Sequence, residues 1–225
     1  MSKLVPEYLF KEHQIISEIL PIFQQEMAEL REGKLPDPSR YEKILRFCRD
    51  YADTSHHKKE EDILFQELYP IQNIEGGPRC IYYKELEIQR PTIISQVDEI
   101  LKQMNLDDEA LREKWKHMTR EGHIVNPLLE EHILGRSLLQ LIEYELQQRL
   151  NGKSKDSSSL AYALYRYYSM LAEHIEKEDT CFANTVEKYL SEETQKKIVD
   201  RFREMDEGPC RELIQNSLEI LKTLK

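Results

Sequence analysis

The chain has 225 residues, of which 40% are hydrophobic and 33% are charged, and this is enough for one sizeable core. Only 7 glycines and 9 prolines occur, which favours an all-α domain. The net charge of −10 argues against nucleic acid or an anionic membrane as a partner. No apolar run approaches the roughly 18 residues of a membrane span, and the amino terminus resembles no signal peptide. Four cysteines without a CxxC pair are typical of reduced thiols, so we expect a cytoplasmic protein.

The first two predicted helices span about residues 6–31 and 39–70. Along each of them, apolar residues recur in alternating steps of three and four, as in a buried helical stripe. Pro21 predicts a kink near the middle of the first helix. The stretch from Gly33 to Ser39 contains two prolines and is predicted to be a linker.

A long segment, about residues 73–120, separates the second predicted helix from the third. We predict that it is a helical insertion with helices near Arg79–Met104 and Asp107–Thr119. Two more long helices follow, at about residues 122–150 and 158–189. A pair of carboxyl-terminal helices is predicted at about residues 191–225. Pro127 suits the first turn of the third long helix, and Gly152 suits its end.

Each of the four long helices carries one histidine on its apolar stripe. These residues are His13, His56, His132 and His174. Glu60 and Glu178 follow two of them by one helical turn and therefore project from the same face. Burying so many titratable groups is costly unless a cation lies among them. Six side chains exceed the four ligands of a tetrahedral zinc ion, whereas carboxylates and histidines on facing helices are typical of di-iron or di-manganese bundles.

Several motifs around these residues resemble those of the hemerythrin-like (HHE cation-binding) family. They read SHHKKEEDILF at Ser55–Phe65, EHILGR at Glu131–Arg136 and HIEKED at His174–Asp179, after Glu12-His13 in the first helix. The resemblance covers about residues 7–70 and 120–205. It implies an up-down-up-down four-helix bundle. We expect a single domain over residues 1–225, in which the helical insertion between the second and third helices departs from the family's short connection and carboxyl-terminal helices follow the bundle.

The resemblance also implies the metal ligands, namely His13, His56, Glu60, His132, His174 and Glu178. Glu60 and Glu178 would bridge two ions, which we expect to be iron, with manganese or zinc as other divalent metals. Oxygen-carrying hemerythrins have another histidine where Leu128 stands here. They also place an aspartate where Asp179 stands, so Asp179 competes with Glu178, and we favour Glu178 because it lies on the apolar stripe.

Four neighbours of the predicted ligands are assigned other roles. His57 lies about 100° around an α-helix from His56, so we predict that it is solvated or supports a ligand. Glu61 shares this geometry and is expected to pair with lysines. Lys58 and Lys59 are expected to lie on a solvated face.

These observations predict a cytoplasmic non-heme di-iron protein that engages oxygen, nitric oxide or peroxide in sensing, storage or stress response. The metal ions would bind and polarise the small ligand at an open coordination position. A binding protein predicts a reversible spectral change, and an enzyme predicts consumption of peroxide or nitric oxide with a reductant. The alternative is a metal-stabilised interaction or oligomerisation module without redox turnover, in which the insertion and the last helix dock a partner or form a homodimer.

Overall fold

The computed structural model describes residues 4–71, 74, 92–106 and 123–225. Within these residues every regular element is helical and none is a strand, which confirms the predicted all-α class. None of the described helices is both long enough and apolar enough to cross a membrane.

The first long helical stretch, segment A (residues 4–31), consists of α1 (Leu4–Ser17) and α2 (Leu20–Arg31). The interruption between them falls just before Pro21, where the sequence predicts a kink, because proline cannot donate the backbone hydrogen bond that a continuous helix needs. The linker after α2 ends at Asp37. Its carboxylate accepts a hydrogen bond from the backbone N–H of Ser39 and caps the next helix.

The second stretch, segment B (residues 38–68), alternates between α-helical and π-helical geometry. Its parts are α3 (Pro38–Phe47), a π-helix at Cys48–His57, a second π-helix at Glu60–Leu64, and α4 (Phe65–Leu68). In the insertion, the described part contains α5 (Ile93–Gln103), which packs on the third long stretch. The rest of the predicted helix at Arg79–Met104 and the whole predicted helix at Asp107–Thr119 lie outside the described residues.

The third and fourth long stretches are named segments C and D. Segment C is α6 (Asn126–Leu150), and Gly152 beyond its end has the positive φ of +68° that favours glycine. Segment D (residues 158–189) comprises α7 (Ser158–Lys177), a π-helix at Glu178–Phe182, and α8 (Ala183–Tyr189).

Two helices follow segment D, in the region where the sequence predicts carboxyl-terminal helices. The first, α9 (Glu192–Glu207), packs on α1, and the second, α10 (Arg211–Leu224), packs on α3 and the π-helix after it.

Segment A contacts segments B and D, and segment C also contacts segments B and D. The four long segments thus surround a shared interior.

Two clusters of buried apolar residues fill this interior. One contains Ile16, Ala52, Ile133 and Ile175 from segments A to D, and the other contains Leu9, Ile63, Leu129 and Phe182 from the same four segments. In each of the four segments, a residue of one cluster precedes a predicted ligand in the chain, and a residue of the other cluster follows it. The predicted ligands therefore form a polar layer between two apolar layers.

Candidate metal centre

The six predicted ligand residues meet in the polar layer as two overlapping groups of four. The first group contains His13, His56, Glu60 and Glu178, and the second contains Glu60, His132, His174 and Glu178. Within each group, one nitrogen or oxygen atom of every residue lies within 4.8 Å of the others. Since Glu60 and Glu178 belong to both groups, the layer offers two adjacent ion positions with two carboxylates in common. Asp179 belongs to neither group.

The separations between donor atoms match those of ligands on a common ion. Two ligands at about 2.1 Å from one ion lie about 3.0 Å apart at a right angle and about 3.4 Å apart in a tetrahedron. Nε2 of His13 lies 3.1 Å from Nε2 of His56 and 3.1 Å from Oε2 of Glu178. In the second group, Nε2 of His132 lies 3.5 Å from Oε2 of Glu60, and Nε2 of His174 lies 3.4 Å from Oε2 of Glu178.

Many of these donor atoms lack a hydrogen bond. Both carboxylate oxygens of Glu60 and of Glu178, and Nε2 of His132 and of His174, are buried without a hydrogen-bond partner among the described residues. A buried polar atom left without a partner costs about 1–3 kcal/mol, and folded proteins rarely tolerate several in one place. The donor atoms of the layer therefore fit a pair of metal ions.

The electrostatics of the two shared glutamates also favour a bound cation. Burial, together with the nearby charge of Glu178, raises the pKa of Glu60 well above its usual value. Burial also acts to raise the pKa of Glu178, but His174 and His13 outweigh it and lower that pKa below its usual value. Two buried carboxylates side by side cannot both ionise cheaply unless a cation lies between them. A metal ion at each position would allow both glutamates to carry charge.

Each of the four histidines donates Nδ1–H to a carboxylate, and this contact directs Nε2 into the interior. The four acceptors are Glu12 for His56 (2.9 Å), Asp179 for His13 (2.6 Å), Glu61 for His132 (2.8 Å) and Glu131 for His174 (2.9 Å). Such contacts fix the tautomer and orientation of metal-binding imidazoles and increase their basicity. Asp179 thus orients a histidine, and Glu61 accepts hydrogen bonds from His132 and Arg136 instead of pairing with lysines as predicted.

Two buried lysines support two of these carboxylates. Lys59 donates to Glu12 and lies 2.7 Å from Asp206 of α9, and Lys177 donates to Glu131. The Lys59 side chain is fully buried, so the prediction that it lies on a solvated face is wrong. Its charge is balanced by the two carboxylates that it contacts, as a buried ammonium group requires.

The supporting contacts reveal an internal repeat that the sequence-based interpretation missed. A Glu-His pair on segment A is followed on segment B by His-x-x-Lys-Glu-Glu, and a Glu-His pair on segment C is followed on segment D by His-x-x-Lys-Glu-Asp. Glu12 precedes His56 by 44 residues, and Glu131 precedes His174 by 43. Segments B and D both change to π-helix at the shared glutamate. Comparing the chain with itself at these motifs would have found Glu12, Lys59, Glu131 and Lys177.

His57 breaks the repeat, and of its two predicted roles, a solvated side chain or one that supports a ligand, its burial contradicts the first. It is 7% exposed, its Nδ1 donates to Asp53 at 3.4 Å, and its ring stacks on that of His132 with centroids 3.9 Å apart. Nε2 of His57 is buried without a partner among the described residues. Nitrogen atoms of His57, His132 and His174 lie within 4.8 Å of one another and form a third group of potential ligands.

An open cleft of about 370 Å³ lies between α1 and the end of segment D. Its wall includes the apolar side chains of Leu9, Phe182 and Ala183, and it reaches the ligand residues His13 and Glu178. Several exposed residues also line it, so the cleft opens to solvent. It therefore gives a small molecule a route to the first group of ligands.

The cysteines near the site differ from the prediction of four reduced thiols. Cys181, one turn after Glu178, is disulfide-bonded. Cys48 and Cys210 are free and buried. Burial raises the pKa of the Cys48 thiol to about 12, so this residue stays a neutral thiol at neutral pH.

The supporting carboxylates lead to a testable expectation. We expect Glu131→Gln to lower metal affinity about 10–100-fold, because His174 loses the charged acceptor that orients it. Competition with a chromophoric chelator measures this affinity. Glu143→Gln on the exposed face of segment C is the matched control and should bind metal as the wild type does. Equal affinities for both variants would contradict the orienting role.

No protein-family model, curated protein or solved structure matches this chain. Its resemblance to the hemerythrin-like family therefore stays a prediction from the motifs. The functional assignment depends on the buried donor groups, their supporting contacts and the cleft beside them.

Proposed function

We propose that this is a hemerythrin-like di-metal protein in which segments A to D form an up-down-up-down four-helix bundle around two ions. The observation that carries the proposal is the overlap of two four-residue donor groups at Glu60 and Glu178. The contacts of each long segment with two others support a bundle. Four imidazoles with shared carboxylates on facing helices are the donor set of di-metal bundle proteins.

Iron is the metal that this donor set favours. The two groups offer imidazole and carboxylate, which suit iron, and contain no cysteine. Manganese and zinc accept the same kinds of donor and are the competing ions. With four protein ligands in each group, each ion retains open coordination positions for a small ligand. Bound iron would supply the ability to bind and polarise oxygen, nitric oxide or peroxide.

The protein's own residues would hold the ions and keep the layer dry. The supporting carboxylates orient the four imidazoles, and Lys59 and Lys177 balance the charge of Glu12 and Glu131. The apolar clusters on both sides of the layer limit the access of water. We infer a role in sensing, storage or stress response, because the cleft admits a small molecule to a buried centre.

Elemental analysis of protein from iron-replete cells, with an absorption spectrum recorded in air, tests the proposal. We expect about two irons per chain, one for each group of four donors, and absorption bands of iron bridged by oxygen. Loading with manganese and with zinc under the same conditions provides the comparison of metals. One zinc per chain, or no bound metal, would overturn the di-iron assignment.

A further inference from the structure

Helix α9 lies outside the four long segments, yet it covers the interface between two of them. Its main contacts with the long segments are with α1 of segment A and with the π-helix at Glu60–Leu64 of segment B. Phe202 of α9 is buried in the same apolar cluster as Leu9 of segment A and Ile63 of segment B. The docking of α9 therefore depends on how segments A and B are placed relative to each other.

Polar contacts tie α9 to both segments at one residue, Asp206. One carboxylate oxygen of Asp206 accepts a hydrogen bond from the hydroxyl group of Tyr8 on segment A. The other oxygen accepts from the ammonium group of Lys59 on segment B at 2.7 Å. The same ammonium group lies 5.4 Å from the centre of the Tyr8 ring, which is a distance typical of a cation–π contact. Asp206 thus joins the two segments where α9 crosses them.

The same lysine links Asp206 to a predicted metal ligand. Lys59 also donates to Oε1 of Glu12, and Oε2 of Glu12 accepts from Nδ1 of His56 at 2.9 Å. Lys59 is fully buried, so its positive charge needs both carboxylates for balance. Without the charge of Asp206, Glu12 alone would have to balance the ammonium group. Glu12 would then hold Nδ1 of His56 less firmly, and the metal position would lose a nearby negative charge.

A bound ion would fix the same placement of segments that α9 requires. His13 lies on segment A and His56 lies on segment B, and their Nε2 atoms are 3.1 Å apart. This separation suits two ligands of one ion, so the ion would hold the two segments together. Removing the ion removes this link. The ion and α9 therefore stabilise one and the same arrangement of segments A and B.

We propose that the docking of α9 is coupled to the ion held by His13 and His56. Asp206 is the positioning residue, because it acts on the ligand His56 through Lys59 and the carboxylate between them. This inference rests on the proposed di-metal function and adds an output to it. Coupling is reciprocal, so the ion keeps α9 docked as much as docked α9 strengthens the binding of the ion. Loss of the ion would loosen a helix on the surface and so convert metal occupancy into a structural change.

Hydrogen–deuterium exchange of the wild-type protein, with iron and after chelation, tests the coupling. Coupling between two sites is typically about 5–150-fold, so we expect the amides of α9 to exchange at least about five-fold more slowly with iron. Equal rates in a protein that contains two irons would overturn the proposal. A wild type that binds no metal would instead refute the di-metal function, so iron content distinguishes the two failures.

Two variants that each damage one group of donors separate this coupling from general stabilisation of the fold. His13→Ala leaves the second group intact, and His132→Ala leaves the first group intact. In His132→Ala we expect iron to slow the exchange of α9 as in the wild type, because the remaining ion joins segments A and B. In His13→Ala the exchange of α9 should be nearly independent of iron, because the remaining histidine ligands lie on segments C and D. Equal responses of both variants would contradict the coupling.

Asp206→Asn tests the positioning role in the same two backgrounds, by competition with a chromophoric chelator. Combined with His132→Ala, it should lower metal affinity roughly five-fold or more, because direct partners of a ligand contribute about 10–100-fold and Asp206 acts from further away. Combined with His13→Ala, it should leave the affinity unchanged. Asp200→Asn, at an exposed position of the same helix, is the control and should change the affinity in neither background. Unchanged affinity in the first combination, or equal losses in both, would overturn the proposal.

Discussion

Replacing either shared glutamate is expected to empty both metal positions, whereas replacing one histidine empties one. Glu60 and Glu178 each belong to both donor groups, and their two negative charges offset part of the charge of the two ions. We expect Glu60→Gln to lower total iron per chain about ten-fold or more, because second-sphere changes alone already cost 10–100-fold in affinity and this change removes a charged ligand. His13→Ala should retain about one iron, since the second group of four donors is intact.

The same substitution separates a metal ligand from a residue that only stabilises the fold. Both oxygens of Glu60 are buried without a hydrogen bond to the described residues. Glutamine removes the cost of burying a charge, so metal-free Glu60→Gln should be at least as stable as the metal-free wild type. Thermal unfolding after chelation measures this stability. Glu176→Gln is the exposed control for iron content, and retention of two irons by Glu60→Gln would refute the shared-ligand role.

Removing the metal from the wild type is expected to lower the unfolding temperature strongly. An ion that binds only the folded chain stabilises it by about 4 kcal/mol when its free concentration is 1,000 times its Kd. For a chain of this length, that free energy corresponds to roughly 8–16 °C for each ion. This shift already includes the cost of keeping four imidazoles and two carboxylates buried without a metal ion in the chelated protein.

Calorimetry of the iron-loaded and the chelated protein tests this expectation, with Glu60→Gln as the matched control. The variant cannot hold either ion, so its unfolding temperature should barely respond to iron or chelator. An equal response of the wild type and the variant would show that iron acts elsewhere on the chain. An unfolding temperature of the wild type that is independent of metal would contradict a metal-stabilised bundle.

The helices, and the helix faces that carry the six predicted ligands, follow from the sequence because they depend on local periodicity. A spacing of four residues places His56 and Glu60 on one helix face, because each helical turn holds about four residues. The same holds for His174 and Glu178. Proline and glycine signals predicted the interruption before Pro21 and the end of segment C for equally local reasons.

The residues that orient the ligands were not predicted, because their contacts cross between segments. Glu12 and Lys59 meet only when segments A and B pack together, and Asp206 reaches them from α9. Lys59 looks solvated in a charged stretch of sequence, yet three segments of the fold bury it. The repeated Glu-His pairs and HxxKE motifs indicate which glutamate pairs with which lysine, because the same contacts recur in both halves.

By itself, the sequence determined an all-α chain with four histidines and two glutamates on apolar helical faces. Only the tertiary structure decided the place of His57. In an α-helix this residue would point away from the face that carries His56. It ends a π-helix, however, in which each turn holds more residues and the angle between neighbouring side chains differs. The packing of segment C then buried its ring against His132. Local periodicity places a side chain on its own helix, whereas helix packing determines which neighbours it meets and whether water reaches it.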